Sequence, residues 1–307
     1  MRWLTDCSPA TVAEAVRMVA PQLGGASIEL SAKLEQGDPL WSSSTAIVGG
    51  QFIAKFAWSR PAAWRLAHEI GVLTALAREP GVPFLPVVVA AGSDPLLLIT
   101  RRVPGRSLFE VVHSIEQDSA GRQLAGFLAV LHAPASRERV EAAIGRLPEA
   151  CRGPQHPAAT RDLRDRLGRW IRPDQRRTLT AWCEWVDATL APPRPSVLVH
   201  ADLHGDNQVW TGDKLRLVVD FETVSAAEPE YDLRAIPTVE LLTATMHHYH
   251  RLTGRRLAID RVTAWHVRTA LGDALWHSEA GRPLPDGRTP SAWIDELTTR
   301  FEKLGSG

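Results

Sequence analysis

The chain has 307 residues, 44% hydrophobic and 23% charged, an ordinary globular composition that excludes a disordered or low-complexity function. Thirty-five basic residues balance thirty-five acidic ones, so the positive excess that nucleic-acid phosphates require is missing. No apolar run reaches the ~18 residues that span a bilayer, the N-terminal Met1-Arg2-Trp3-Leu4 lacks a signal-peptide layout, and Cys7, Cys151 and Cys183 suggest neither a disulfide framework nor a zinc site. The expectation is a cytoplasmic protein, monomer or weak homodimer, with no nucleic-acid or membrane partner.

The elements are legible in chain order. An apolar helical pattern (Val12, Ala15, Val16, Val19) follows the capping pair Ser8-Pro9. Ile28-Glu29-Leu30-Ser31 alternates, and Thr45–Val48 and Phe52–Phe56 flank Gly49-Gly50, a strong hairpin signal. A helix is expected from Pro61 to Arg78, with Trp64, Ala67, Ile70, Leu73 and Leu76 on its apolar face. Two apolar runs, Pro86–Ala91 and Leu96–Thr100, are separated by Gly92-Ser93-Asp94-Pro95. After Val103-Pro104-Gly105 helical patterns dominate, including the Leu124, Phe127, Leu128 and Leu131 face and residues 174–191. Short strands are expected at Val197–Val199, Gln208–Trp210 and Leu215–Val219, then helices from 230 to 304. The fold class is α+β: a small sheet-bearing lobe over 1–103 with a hinge at about 99–105, and a larger helical lobe over 104–307.

The densest chemistry lies in Val199-His200-Ala201-Asp202-Leu203-His204-Gly205-Asp206-Asn207, followed by Leu217-Val218-Val219-Asp220-Phe221-Glu222. Two histidines four apart suit a metal-binding helix, but Gly205 and the flanking β-rich runs argue against a helix. The competing reading is a loop presenting Asp202 and Asn207, then a hairpin delivering Asp220, the layout that phosphoryl transfer needs. One carboxylate accepts the proton of an attacking hydroxyl, while an amide oxygen and a second carboxylate hold magnesium, which prefers oxygen ligands.

This His-x-Asp-x(4)-Asn pattern, followed by an apolar strand and Asp, resembles the aminoglycoside phosphotransferase-like family of the protein-kinase-like superfamily. The Leu-His-x-x-Asn form resembles its small-molecule kinase branch. The resemblance spans roughly residues 34–236 and implies a bilobal kinase-like fold, with Asp202 as catalytic base or hydroxyl-positioning residue and Asn207 and Asp220 as Mg2+ ligands. His200 is then a scaffold residue of the loop. The family also needs a strand lysine on the nucleotide phosphates and a helical glutamate to orient it. Lys55, one of only four lysines among the thirty-five basic residues, and Glu69 fit those positions.

The segment Gln36–Ser44 sits where the phosphate-covering loop belongs but carries one glycine, so Ser42, Ser43 and Ser44 are the phosphate-binding candidates, with a plain hairpin turn as the alternative. Leu96–Gly105 matches the hinge, where the Arg101 carbonyl and the Val103 amide are expected to meet the adenine edge. His132, at the end of a Leu-x-x-Leu-His helix, and Asp232 are expected to be structural. Met246-His247-His248-Tyr249-His250 reads as a solvated helix face.

The resemblance implies an ATP-dependent (alternatively GTP-dependent) phosphotransferase acting on a hydroxyl of a small-molecule acceptor, with an antibiotic such as an aminoglycoside as the leading class. Ala201 stands where a regulated protein kinase has arginine, which argues against a phosphorylation-switched enzyme. Alternatives are a metabolic kinase of an amino alcohol, sugar or homoserine-like acceptor, and a non-catalytic nucleotide-binding module. A cationic acceptor requires carboxylates in its wall, and Glu222, Glu228, Glu230, Asp273 and Glu279 are the candidates, with Arg234, Arg268 and Arg282 nearby in sequence.

Overall fold

The expected α+β architecture is present in the computed structural model, which describes residues 2–4, 6–31, 43–78, 82–150, 160–281, 287 and 289–304. The strands are β1 (Ile28–Leu30), β2 (Ser44–Val48), β3 (Phe52–Phe56), β4 (Val88–Ser93), β5 (Leu96–Arg101), β6 (Arg106–Ser107), β7 (Val197–Val199), β8 (Gln208–Thr211), β9 (Lys214–Val218) and β10 (Ser225–Ala227). The helices are α1 (Pro9–Val19), α2 (Arg60–Leu76), α3 (Leu108–Val111), α4 (Gln117–Leu131), α5 (Pro134–Ile144), α6 (Thr160–Leu167), α7 (Gln175–Leu190), α8 (Glu230–Leu233), α9 (Val239–Thr253), α10 (Ile259–Glu279) and α11 (Pro290–Leu304). None of the described helices is long and apolar enough to cross a membrane.

Two compact units divide these elements. The first comprises residues 1–147, 197–225 and 235–256, and the second residues 148–196, 226–234 and 257–307. Division by packing draws its line elsewhere than residue 103, with α5 packed against α2 inside the first unit.

In the first unit five antiparallel strands run in the order β1-β2-β3-β5-β4. Gly49 and Gly50 take φ of +56° and +71°, a left-handed pair that costs glycine little, and with Gln51 they form the three-residue connection between paired Val48 and Phe52. Strand alternation then sorts the side chains. Ala46, Val48, Ala54, Phe56, Leu97 and Ile99 bury one face against Val12, Ala15 and Val16 of α1. Lys55, paired with Thr45 and Leu98, belongs to the other face.

Helix α2 starts at Ser59, whose hydroxyl accepts the Ala62 amide. Its buried residues are Ala62, Ala63, Leu66, Glu69, Val72, Leu73, Ala75 and Leu76, whereas Trp64 is 64% exposed and Ala67 and Ile70 are half-buried. The apolar face expected from the sequence is therefore rotated. The inward stripe includes a charged residue, Glu69, which hydrophobicity alone assigns to solvent.

Helices α4 and α9 pack against each other in the same unit. His132 at the end of α4 is buried, with Nδ1 3.1 Å from the Tyr249 hydroxyl of α9. The histidine run of α9 is only partly solvated: His247 is exposed, but His248 is buried with Nε2 2.8 Å from Asp118 Oδ1. In the second unit α6, α7, α10 and α11 enclose a core of Leu163, Leu167, Leu179, Val186, Val267, Leu271, Leu275 and Ile294. Two buried acids at and just before α8 are held there by arginines, Glu228 by the buried Arg261 at 2.5 Å and Glu230 by the exposed Arg194 at 2.5 Å.

Gly121 sets the approach of α4 to α9, since a Cβ there would lie 2.6 Å from Ala244 Cβ and 2.8 Å from the Thr245 nitrogen. Gly121→Ala is expected to cost about 2 kcal/mol of unfolding free energy, read as a lowered urea midpoint at unchanged slope. Gly126→Ala on the same helix, where a Cβ meets nothing within 4 Å, should leave stability unchanged or raise it. Equal effects at the two positions would refute the close-approach account.

Candidate active site

Lys55 is the centre of the site. Strand β3 delivers its side chain, 13% exposed, to three carboxylates in the same unit: Glu69 of α2 at 2.7 Å, Asp220 at 2.6 Å and Glu222 at 3.2 Å. Burial acts to lower the ammonium's pKa, yet the charges of Asp220, Glu69 and Glu222 hold it well above the ordinary lysine value. Glu69 is pushed upward, chiefly by burial and further by Asp220 and Glu222, against the pull of Lys55. Its other oxygen accepts the Phe221 amide at 3.1 Å. Glu222 also accepts the Ser43 hydroxyl at 2.6 Å and Arg65 Nε at 3.1 Å. Three carboxylates thus face two cations, and the oxygens of Glu69, Asp220 and Glu222 lie within 4.8 Å of one another, the one such group among the described residues.

Asp220 reaches this cluster because the chain turns sharply after β9. Its φ is +68°, the left-handed region that Asp tolerates better than most residues. Phe221–Thr223 then form a single 3₁₀ turn.

The loop after β7 carries the second group. His200 is fully buried, with Nε2 2.9 Å from the Val219 carbonyl and Nδ1 accepting the Asp202 amide at 3.3 Å. A carbonyl only accepts and an amide only donates, so the proton sits on Nε2 and the ring serves as a neutral bracket. It joins the Asp202 loop to the residue preceding Asp220. Ala201 has φ +68°, which costs an alanine on the order of 1 kcal/mol and turns the backbone so that Asp202 leaves the loop. Asn207 Nδ2 donates to the Asp202 main-chain oxygen at 2.8 Å and to its Oδ2 at 3.0 Å. Its amide donor is therefore spent within the loop, and Oδ1 is the atom with which Asn207 would hold a cation.

The structure brings Lys55, Glu69 and Asp220 together, and Asp202 with Asn207. Ser43 joins through Glu222. Ser44 is buried in β2, two residues before Ala46, so alternation sends its side chain to the face opposite Lys55. Ser42 and Trp41 lie outside the described residues. Arg101 ends β5, with its amide donating to the Val87 carbonyl at 2.9 Å, and Val103 lies just beyond the strand. Asp232 is fully buried.

Sequence reasoning missed three participants. Arg65 stands one helical turn before Glu69, a spacing that places both on one side of α2. His204 packs its ring parallel to Phe109 of α3, at 8° and 6.3 Å between centroids, with Nε2 3.5 Å from Asp202 Oδ2. Burial pulls its pKa down, but Asp202, by hydrogen bond and charge, with Asp206 and Asp220 leaves it above the usual histidine value. Glu222, offered above for an acceptor wall, is instead bound to Lys55, Arg65 and Ser43.

The sequence pattern that defines the phosphotransferase enzyme family matches residues 33–280 of this chain. No curated protein sequence matches it. Among solved structures it is similar to the GDP complex of wild-type aminoglycoside 2'-phosphotransferase-IIIa, with 19% identity, coverage of 97% of this chain and 98% of that one, and a TM-score of 0.71. The apoenzyme of macrolide 2'-phosphotransferase MphH from Brachybacterium faecium is 19% identical over 89% of this chain and 93% of that one, with a TM-score of 0.61. The streptomycin-ATP ternary complex of APH(2")-IIa is 15% identical over 88% and 92%, at 0.60. Such likenesses carry the fold.

Removing the cation of the cluster tests its electrostatics without any ligand. Lys55→Met strands Glu69 and is expected to lower stability by about 3 kcal/mol near neutral pH. Glu69, already pushed upward by burial, then loses the opposing pull of Lys55, so its folded-state pKa lies above the unfolded value and the stability it contributes is intact below the unfolded pKa and lost as pH rises through the folded one. The deficit against wild type, measured by denaturant titration, should therefore shrink from about pH 8 to about pH 5. A deficit independent of pH would count against the cluster.

Proposed function

Since this chain belongs to the phosphotransferase enzyme family and is a kinase of hydroxyl groups, we propose that it transfers the γ-phosphoryl group of MgATP to a hydroxyl of a small molecule, with Asp202 as the base. The observation that carries this reading is the Lys55 cluster: a lysine oriented by a buried helical glutamate and in contact with the Asp that follows β9. In the step proposed, the acceptor oxygen bonds to the γ-phosphorus as the bond to the β,γ-bridging oxygen breaks. The electron pair leaves with ADP, and the hydroxyl proton passes to the Asp202 carboxylate.

The residues fit a magnesium ion. Asp220 and the Asn207 amide oxygen are the hard donors such an ion prefers, and the cluster around Lys55 is short of positive charge. When bound, magnesium supplies neutralisation of the phosphate oxygens. Lys55 is the group that this chain itself contributes to those oxygens.

For the acceptor, two readings are supported by different observations. The structural likeness includes aminoglycoside phosphotransferases, which supports the antibiotic class expected from the sequence. Pairing of the candidate acids supports an acceptor with fewer ammonium groups, of the macrolide kind or a metabolite. Glu228 is bound by Arg261, Glu230 by Arg194, Glu279 by Arg166 and Glu222 by Lys55 and Arg65. A carboxylate already neutralised by arginine is a poor partner for a second cation.

A panel of kanamycin, gentamicin, streptomycin and erythromycin, followed by ADP release and mass shift of the product, tests the reading. At least one acceptor is expected to gain one phosphate. Asp202→Asn should lower kcat on that acceptor by a factor on the order of 100 while MgATP affinity by calorimetry stays within about twofold. Transfer by the variant at more than about a tenth of the wild-type rate would remove Asp202 from the base role.

A further inference from the structure

We propose that His204 is a positioning residue for Asp202, acting as a fixed Nε2–H donor that holds the carboxylate in its working orientation. The proposal rests on the reading of Asp202 as the base.

Three independent contacts fix the imidazole. Its Nδ1 accepts the Asp206 main-chain amide at 3.2 Å, capping the 3₁₀ turn Gly205–Asn207. Because that amide can only donate, the neutral ring carries its proton on Nε2. One face of the ring lies parallel to Phe109, and Gly205 packs so tightly on the same phenyl ring that a Cβ there would meet it at 2.7 Å. Phe109 is thus wedged against the loop backbone, although 47% of it remains exposed. The third contact is Nε2 to Asp202 Oδ2 at 3.5 Å, long for a hydrogen bond, so that a small shift would close it.

Asn207 donates to the same oxygen at 3.0 Å. With the Asn207 donor already on Oδ2 and the His204 N–H closing beside it, rotation of the carboxylate about its last bond would be restricted. A carboxylate free to rotate meets the acceptor hydroxyl in the productive geometry only part of the time, which lowers kcat without touching nucleotide affinity. The backbone cap and the donor to Asp202 come from different ring nitrogens, so two conservative variants separate them. Asparagine can replace the Nδ1 acceptor but cannot reach Asp202, whereas glutamine places an amide N–H where Nε2 stands.

The experiment compares wild type, His204→Ala, His204→Asn and His204→Gln. Turnover is read on whichever panel acceptor the wild type phosphorylates and, in parallel, as slow MgATP hydrolysis to water. The alanine variant should lose at least tenfold in kcat with KM for MgATP within twofold. Glutamine should exceed asparagine in kcat by about tenfold. Asparagine equal to or better than glutamine would reduce His204 to a cap of the turn and overturn the proposal, as would equal losses in all three variants. Long-range 1H–15N correlation on the wild type gives a readout that needs no turnover. Protonation at Nε2 is required, and a proton on Nδ1 alone would also overturn it. Failure of Asp202→Asn to impair transfer would strike the premise instead, whatever the order of the His204 variants.

Discussion

A single ammonium group, that of Lys55, fixes the arrangement of the first unit's chemistry. Burying a lysine is unfavourable unless its charge is met, and burying Glu69 is unfavourable for the same reason. Each solves the other's problem only if β3, α2 and the turn after β9 adopt one mutual placement. The requirement extends further, because the second oxygen of Glu69 takes the Phe221 amide and Asp220 must enter the left-handed region to reach Lys55. Positions that look independent in the sequence are thus mutually constrained. The cluster keeps more carboxylate than cation, and this local excess of negative charge disposes it toward a further cation.

The loop after β7 answers a different constraint, that of aiming a carboxylate from irregular backbone. Loops are imprecise platforms unless their own polar groups are spent internally. Here both nitrogens of His200 and the amide of Asn207 are used within the loop and its neighbouring strand end. Ala201 accepts an unfavourable backbone conformation in return. Residual strain at such a residue persists because the surrounding bonds determine the conformation, not the residue's own preference.

Much of this was legible before any coordinates. The family resemblance and an apolar strand singled out Lys55, the Gly49-Gly50 pair placed the hairpin, and the spacing of Asp202, Asn207 and Asp220 suggested the chemistry. What the sequence hid is physically coherent. Periodicity ranks residues by apolarity, so it turned α2 toward Trp64 and away from Glu69, whose burial is decided by a lysine on another element. The partners of Glu228 and Glu230 are arginines 33 and 36 residues distant, and no local rule pairs them. His204 was visible as a candidate metal ligand and as the histidine of the Leu-His-x-x-Asn form, but with no role attached. Its orientation depends on Phe109, nearly a hundred residues earlier, and on which ring nitrogen the backbone claims.

The charge composition links these observations to the acceptor. All but four of the thirty-five basic residues are arginine, which pairs with carboxylates through a planar fork and gives up that pairing reluctantly. A chain so composed tends to consume its buried acids internally, as Glu228 and Glu230 are consumed in the second unit. Recognition of a polycationic ligand would then have to draw on exposed carboxylates, where solvent and salt weaken each contact. Recognition of a largely neutral acceptor needs only apolar surface and a few hydrogen bonds. Phe109, half-exposed beside His204, is the kind of surface that the second case uses.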